Sequence, residues 1–171
     1  MVGTPSGLFV LWGETMRYPI KKVLSSSKTV AMVGLSAKPE HDSQLVATYL
    51  SAHGYTVIPI NPNASEVMGW KSYASLRDLP EPPDVVDVFR RAEAAPSIAE
   101  DAIAIGAKTL WLQLGIVNQT AAKNARAAGL MVVMNHCMKR EHERLWGPEQ
   151  PCNDPSLRAA PVYQERQETS L

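Results

Sequence analysis

The residues with the clearest chemical potential follow the apolar run VAMVG, which ends at Gly34. A glycine directly after a strand permits a tight turn, and a phosphate can then approach backbone N–H groups at the start of the next helix. Seven residues separate Gly34 from Asp42. The loop is therefore longer than a G-x-G-x-x-G turn, and it can hold a bulkier phosphate group beside Ser36 and Lys38. A plain structural turn is the alternative interpretation of one glycine.

Three basic residues could supply positive charge to such a phosphate. They are Lys71 and the adjacent pair Arg90 and Arg91, and arginine offers a planar fork that matches phosphate oxygens. Because Arg90 stands just beyond a predicted strand, it is the first candidate of the three. Ordinary solvated charge is the alternative for each of them.

Histidine and cysteine could in principle form a catalytic pair or bind a metal. His136 and Cys137 are adjacent, so their side chains should point apart, and no third residue that would orient the base is visible. His142 lies between Glu141 and Glu143 without an H-x-x-x-H spacing, so we expect a solvated helix surface there. The sequence thus predicts no catalytic residue and no metal site.

The elements that must position these residues alternate between strands and helices. Five short apolar runs predict strands: TVAMVG, YTVIPINP, DVVDVF, KTLWLQLG and LMVVMN. Three helical patterns separate them: one with Asp42 or Ser43 as its N-cap that ends at Gly54, one from about Pro96 to Ile105, and one that Asn118 caps and that runs through Ala128. This alternation predicts a Rossmann-like, doubly wound, parallel five-stranded sheet in a three-layer α/β/α arrangement, most simply with strand order 3-2-1-4-5. Ligands of such sheets bind at the carboxyl ends of the strands.

Length and composition limit the classes of partner. The 171 residues suit one domain, which we place at residues 29–146, with an extension and short helix at 1–28 and a proline-rich tail at 147–171. Lys+Arg and Asp+Glu are balanced at 17 each, which disfavours nucleic acid and anionic membranes as partners. Cys137 and Cys152 are too few for a disulfide framework, and GLFVLWG is too short for a membrane span. We expect a cytoplasmic protein.

Taken together, these motifs resemble the stand-alone CoA-binding domains, which are similar to the CoA-binding lobe of succinyl-CoA synthetase α subunits and related acyl-CoA synthetases. The resemblance runs from about Lys28 to Leu145. The segments that carry it, in order, are VGLSAKP, GYTVIPINP, YASLRDLP, DVVDVFRR, AIAIGAKTLWLQLGI, AGLMVVMNHC and EHERL.

The resemblance implies where parts of CoA would lie. Gly34, Leu35 and Ser36 would line the pyrophosphate. The PINP segment, Pro59, Ile60, Asn61 and Pro62, would border the adenosine, and the pantetheine arm would pass Gln113, Leu114 and Gly115. The remaining candidate ligand-binding residues are Lys38, His41, Ser43, Lys71, Val88, Phe89, Arg90 and Cys137.

Several of these candidates have a specific expected role. Val88 and Phe89 would form a wall against the adenine, with core packing as the alternative. Cys137 would stand near the end of the arm, unless it is a buried, inert cysteine. No acidic residue follows the second strand, where NAD enzymes hold a ribose 2′-hydroxyl, so NAD is disfavoured.

The chain departs from the family pattern at two positions. His41 stands where the family often has arginine, and Asn135-His136-Cys137 replaces a frequent Asp-Arg-Cys. Both changes replace a permanent cation with histidine. Asp42 would also repel a phosphate unless its carboxylate turns onto the N–H groups of its own helix.

The sequence therefore predicts a module that binds CoA or acyl-CoA as a carrier, sensor or accessory protein and is not itself an enzyme. Its ligand would be a small molecule. Two alternatives remain open: an NAD(P)-dependent oxidoreductase, and a regulatory or scaffold subunit whose CoA site has decayed.

Overall fold

A parallel five-stranded sheet forms the centre of the computed structural model, which describes residues 19–147. Its strands are β1 (Thr29–Val33), β2 (Thr56–Ile60), β5 (Val85–Val88), β6 (Thr109–Leu112) and β7 (Met131–Met134). A two-stranded antiparallel hairpin, β3 (Glu66–Val67) and β4 (Trp70–Lys71), stands apart from that sheet. The helices are α1 (19–26), α2 (Asp42–Ala52), α3 (Ala95–Ala104), α4 (Gln119–Ala127) and α5 (Met138–Trp146).

The order of the strands is β2-β1-β5-β6-β7, so the expected order, with the third run outside the second, is wrong. Val85 pairs with Val30, and Val88 pairs with Val33, which places β5 directly beside β1. The outer edge of β2 is instead occupied by Tyr73, whose N–H donates to the Pro59 carbonyl at 3.0 Å. Because the chain after the hairpin takes that edge first, the next strand must cross to the other side of β1.

Helices cover both faces of the sheet and confirm the three-layer α/β/α class. One face packs against α1, α2 and α5 through large side chains such as Leu24, Leu50 and Met138. The other packs against α3 and α4, which meet it mainly through buried alanines. Small side chains allow these two helices to lie close to the sheet and to each other.

The ends of the described chain bear on the predicted domain limits. Ile20 and Leu24 of α1 are buried in the core, although the sequence placed residues 1–28 in an extension. Residues 1–18, the predicted tail from 148 onward and Cys152 lie outside the described residues. Within 19–147, no helix is long and apolar enough to span a membrane.

Candidate functional site

Gly34 lies at the carboxyl end of β1, where the strand order reverses between β1 and β5. Doubly wound sheets bind ligands in the crevice at such a reversal. The φ angle of Gly34 is 89°, a left-handed value that suits glycine. A Cβ at this position would lie 3.0 Å from the Phe89 carbonyl oxygen and 3.2 Å from Arg90 Cδ. The missing side chain therefore lets the end of β5, with Arg90, lie directly against the turn.

The loop after Gly34 is tied to α2 by side-chain hydrogen bonds. The Ser36 N–H donates to Ser43 Oγ at 3.1 Å, and Gln44 Nε2 donates to the Ser36 carbonyl at 2.8 Å. The Ser36 hydroxyl in turn accepts from the Lys38 N–H at 3.1 Å. These bonds fix the loop, and they also occupy two N–H groups, those of Ser36 and Lys38, that a phosphate could otherwise use.

The start of α2 differs from the prediction that Asp42 or Ser43 caps it. His41 holds the N-cap position and makes no side-chain capping bond, while Asp42 is already in the first helical turn. A carboxylate in the first turn interacts favourably with the helix dipole. The side chains of Lys38, His41 and Asp42 are exposed, so the loop presents both signs of charge to solvent.

Asn61, the residue after β2, joins two loops at the sheet edge. Its Nδ2 donates to the Leu35 carbonyl at 3.1 Å, its Oδ1 accepts from the Asn63 N–H at 2.9 Å, and its own N–H donates to the Tyr73 carbonyl at 2.9 Å. The Leu35 side chain is fully buried in the core. Asn61 therefore joins the two loops through side-chain and backbone hydrogen bonds, whereas Leu35 contributes its backbone carbonyl to this edge.

Two cavities lie at the carboxyl edge, one on each side of the Gly34 turn. The first, which we call the α3 cavity, has a volume of about 290 Å³ between the ends of β1 and β2 and helix α3. Predicted residues Ile60, Pro62 and Arg90 line it. Asp101 also reaches it, but this carboxylate is paired with Arg77 at 2.6 Å.

The second, the α5 cavity, has a volume of about 380 Å³ between α2, α5 and the ends of β5 and β6. Four predicted residues line it: Phe89, Gln113, Leu114 and Cys137. Leu45, Ile116, Lys139 and Arg140 line it as well, and sequence reasoning did not single these out. Both volumes are in the range of small-molecule sites or just below it.

Several predicted residues line neither cavity. Val88 is fully buried on the α3 side of the sheet while Phe89 lies on the α5 side, so the expected wall formed by both does not exist. Adjacent residues of a strand face opposite sides, which explains the separation. Lys71 lies over the Tyr73 ring, 5.0 Å from its centre, on the hairpin. Gly115 turns the chain with φ 84° and donates its N–H to Asn135 Oδ1 at 2.7 Å.

A carboxyl group that sequence reasoning missed lies beneath the α5 cavity. Asp87 is fully buried in β5, and Gln113 Nε2 donates to its two oxygens at 2.8 and 2.9 Å. Burial raises the pKa of Asp87 to about 7, although the bonds from Gln113 and from the Val88 backbone act in the opposite direction. The sequence does contain a signal for this buried carboxyl group, because Asp87 is an acidic residue at the centre of the apolar run DVVDVF.

The histidines near α5 differ in their surroundings. Glu141 Oε1 lies 3.1 Å from His136 Nδ1, so an orienting residue that the sequence did not reveal does exist. His136 does not line the α5 cavity that Cys137 enters.

His142 contradicts the prediction of a solvated surface. It is fully buried with Nδ1 2.8 Å from the Tyr49 hydroxyl. Burial lowers the pKa of His142 to about 4, with His53 adding to the effect. No cluster of three or more His, Cys, Asp or Glu within 19–147 could hold a metal ion.

Several known proteins are similar to this chain in sequence and architecture. Residues 28–143 match the family described as CoA binding domain. The uncharacterized protein YneT of Bacillus subtilis (strain 168) is 39% identical over 123 residues, which cover 72% of this chain and 91% of YneT.

Solved structures agree with that match. The crystal structure of Prb, the PH1109 protein redesigned for binding, is 45% identical with a TM-score of 0.74, covering 77% of this chain and 92% of Prb. A hypothetical protein from Pyrococcus horikoshii OT3 is 41% identical with a TM-score of 0.73, covering 85% of this chain and 97% of that one. With its reversal at Gly34 and its match over most of the described residues, this chain belongs to the CoA-binding domain family.

Proposed function

We propose that this protein binds CoA or acyl-CoA at the carboxyl edge of its sheet. The observation that carries the proposal is the pair of cavities on either side of Gly34, with Arg90 lining one and its neighbour Phe89 lining the other. CoA is an elongated molecule with phosphates between a nucleoside and a long arm. A site with two compartments and a glycine turn between them suits that shape.

The α3 cavity suits the adenosine end. Ile60, Pro62 and Ile98 offer apolar surface for a base, and Ser75 and Ser97 add polar groups for orientation. The Arg90 stem packs against the Gly34 turn, which leaves its guanidinium as the cation nearest the expected phosphates. No carboxylate directly follows β2, and Asp101, a carboxylate in the cavity lining, is paired with Arg77, which reduces its repulsion of a 3′-phosphate.

The α5 cavity suits the pantetheine arm. Leu45, Phe89 and Ile116 give apolar walls, whereas Gln113 provides a polar group within them. Cys137 lies in the same cavity and is partly buried, near where a thiol at the end of the arm would arrive.

The proposal makes the protein a carrier, sensor or accessory module of the cytoplasm and assigns it no reaction of its own. Any chemistry on the bound thiol or thioester would come from a partner protein. The related solved structures support the fold of the site, and ligand binding is what must be measured.

Calorimetric titration with CoA, acetyl-CoA, NAD and NADP tests the proposal, with Arg90→Gln as the diagnostic variant. Arg91→Gln is the matched control, because Arg91 is equally exposed but lines neither cavity. We expect Arg90→Gln to weaken CoA binding by about tenfold, the effect of losing one charge-assisted hydrogen bond, and Arg91→Gln to change it by less than about twofold. Equal losses in both variants would mean that Arg90 contributes only general charge.

A further inference from the structure

The side-chain amide of Gln113 has a fixed orientation beneath the α5 cavity. Its Nε2 lies 2.8 and 2.9 Å from the two oxygens of Asp87, both of which are enclosed. The backbone is held as well, since the Gln113 carbonyl accepts from the Ile116 N–H at 2.9 Å. The side chain therefore cannot turn without breaking contacts inside the protein.

The remaining atom of that amide, Oε1, is directed to the cavity. Among residues 19–147, no hydrogen bond reaches Gln113 Oε1, and no fully enclosed side-chain oxygen or nitrogen lacks a partner. Because Gln113 is only 4% exposed and lines the α5 cavity, Oε1 must be open to that space.

The carboxyl group of Asp87 explains why Oε1 of Gln113, and not Nε2, faces the α5 cavity. Above its pKa of about 7 the Asp87 carboxylate only accepts hydrogen bonds, so it attracts Nε2 and repels Oε1. Phe89, Leu114 and Ile116 in the cavity lining carry no side-chain donor, and Lys139 and Arg140, which also line the cavity, make no hydrogen bond to Oε1. A ligand that fills the cavity and excludes water must donate to Oε1 or leave it unsatisfied, at substantial cost to affinity.

We propose that Gln113 is a specificity-determining residue whose Oε1 accepts an amide N–H of the ligand's arm, and that Asp87 is the positioning residue that directs this oxygen into the α5 cavity. The inference rests on the proposed function, because the pantetheine arm of CoA carries secondary amides. The cavity would therefore select a chain with an N–H donor, in preference to a purely apolar chain of equal length.

The test compares two ligands with three single variants. The ligands are CoA and adenosine 3′,5′-bisphosphate, which has the nucleotide phosphates but lacks the arm. Gln113→Met keeps the length of the side chain and removes its acceptor. Gln119→Met is the matched control, because Gln119 is exposed at the start of α4 and lines neither cavity. We expect Gln113→Met to weaken CoA by about tenfold and to leave the bisphosphate within about twofold, with no change in Gln119→Met.

Asp87→Asn tests the positioning role. An asparagine amide can donate to Gln113 Oε1 and accept from Nε2, which would draw the oxygen away from the cavity. We expect the same selective loss of CoA affinity, and no further loss when Asp87→Asn is combined with Gln113→Met.

Unchanged bisphosphate affinity also shows that each variant is folded. Equal losses for both ligands, additive losses in the double variant, or unchanged CoA affinity would each overturn the inference. Wild-type protein that binds the bisphosphate and CoA equally well would overturn it too, because the arm would then contribute nothing. Wild-type protein that binds neither ligand would overturn the proposed function and this inference with it.

Discussion

Asp84 and Asp87 are three residues apart around the same strand, yet they lie in opposite environments. Asp84, at the amino edge of the sheet, accepts from the Lys28 and Thr29 N–H groups and from Lys108 Nζ at 2.8 to 3.1 Å. Partial burial alone would raise its pKa, but these bonds and the Lys108 charge outweigh that effect and lower it. Asp87, towards the carboxyl edge, has its pKa raised to about 7 by full burial.

The difference separates the amino edge of the sheet, which we call the stabilising edge, from the carboxyl edge, where we propose that the ligand binds. The ionised form of Asp84 is favoured by folding and ties β1, β5 and β6 together at their starts. The ionised form of Asp87 is disfavoured by folding, so the protein keeps a costly group beneath the cavity. Groups that cost stability are expected where function requires them.

The largest expected change in stability comes from adding a side chain to the Gly34 turn, at the carboxyl edge of the sheet. Gly34→Ala adds a Cβ 3.0 Å from a backbone oxygen at φ 89°, so strain and steric overlap both act. We expect the free energy of unfolding to fall by about 3 kcal/mol, measured by urea denaturation.

Gly129→Ala is its control, because Gly129 has φ 91° with no atom within 4 Å of the added Cβ, and it precedes β7 at the amino edge. It should cost about 1 kcal/mol from backbone strain alone. Equal losses of stability in the two variants would show that the Gly34 turn is not tightly packed against Phe89 and Arg90.

The next effect concerns the stabilising edge. Asp84→Asn neutralises the carboxylate that accepts hydrogen bonds from Lys108 and two backbone N–H groups. It should lower the free energy of unfolding by about 2 kcal/mol near neutral pH. Because the pKa of Asp84 in the folded protein lies below the ordinary aspartate value of 3.8, this contribution is complete above that pH and is lost as pH falls through the folded value. The variant should therefore lose less stability on acidification than the wild type does.

Asp101→Asn is the comparison for Asp84→Asn. Asp101 forms one ion pair, with an Arg77 side chain that is 60% exposed. Its loss should cost less than about 1 kcal/mol. A cost equal to that of Asp84→Asn would contradict the special role of the amino edge.

The smallest effect is a change in pH dependence from Asp87. Between about 3.8 and about 7 the folded protein keeps a proton that the unfolded chain has lost, so stability should fall as pH rises through this window. Asp87→Asn lacks that proton exchange. Its stability should fall less between about pH 6 and about pH 7, by about 1 kcal/mol, in urea titrations at the two pH values.

Comparison with the wild type is essential in that experiment, because the titration of His142 changes stability with pH in the direction opposite to that of Asp87. Its lowered pKa of about 4 means that stability is lost as pH falls below about 6.5. Both proteins share this contribution, so it cancels in the difference. Identical pH profiles for wild type and Asp87→Asn would show that Asp87 does not titrate in this range.

The sequence predicted the parts of this structure that depend on local pattern. The five strands, the glycine turn and the Asn118 cap, whose Oδ1 accepts from the Ala121 N–H at 2.9 Å, follow from short-range signals. Trp111 stands inside the apolar run KTLWLQLG and is fully buried, with its Nε1 donating to the His136 carbonyl at 2.8 Å.

Features that depend on contacts between distant segments were not predictable in this way. The strand order depends on Tyr73 reaching the edge of β2, which no local pattern shows. Lys139 and Arg140 join the α5 cavity only because α5 packs beside α2. His142 has charged neighbours in sequence, but the ring of Trp146 and the Tyr49 hydroxyl enclose it.

Native mass spectrometry of the purified protein, titrated with CoA, acetyl-CoA, NAD and NADP at equal concentrations, would show whether the protein selects CoA. Each ligand has a distinct mass, so the four compete in one sample and are counted separately. We expect complexes with CoA or acetyl-CoA at concentrations about tenfold lower than those required for either dinucleotide. Preferential binding of NAD or NADP, or no complex with any CoA species, would contradict the proposed function.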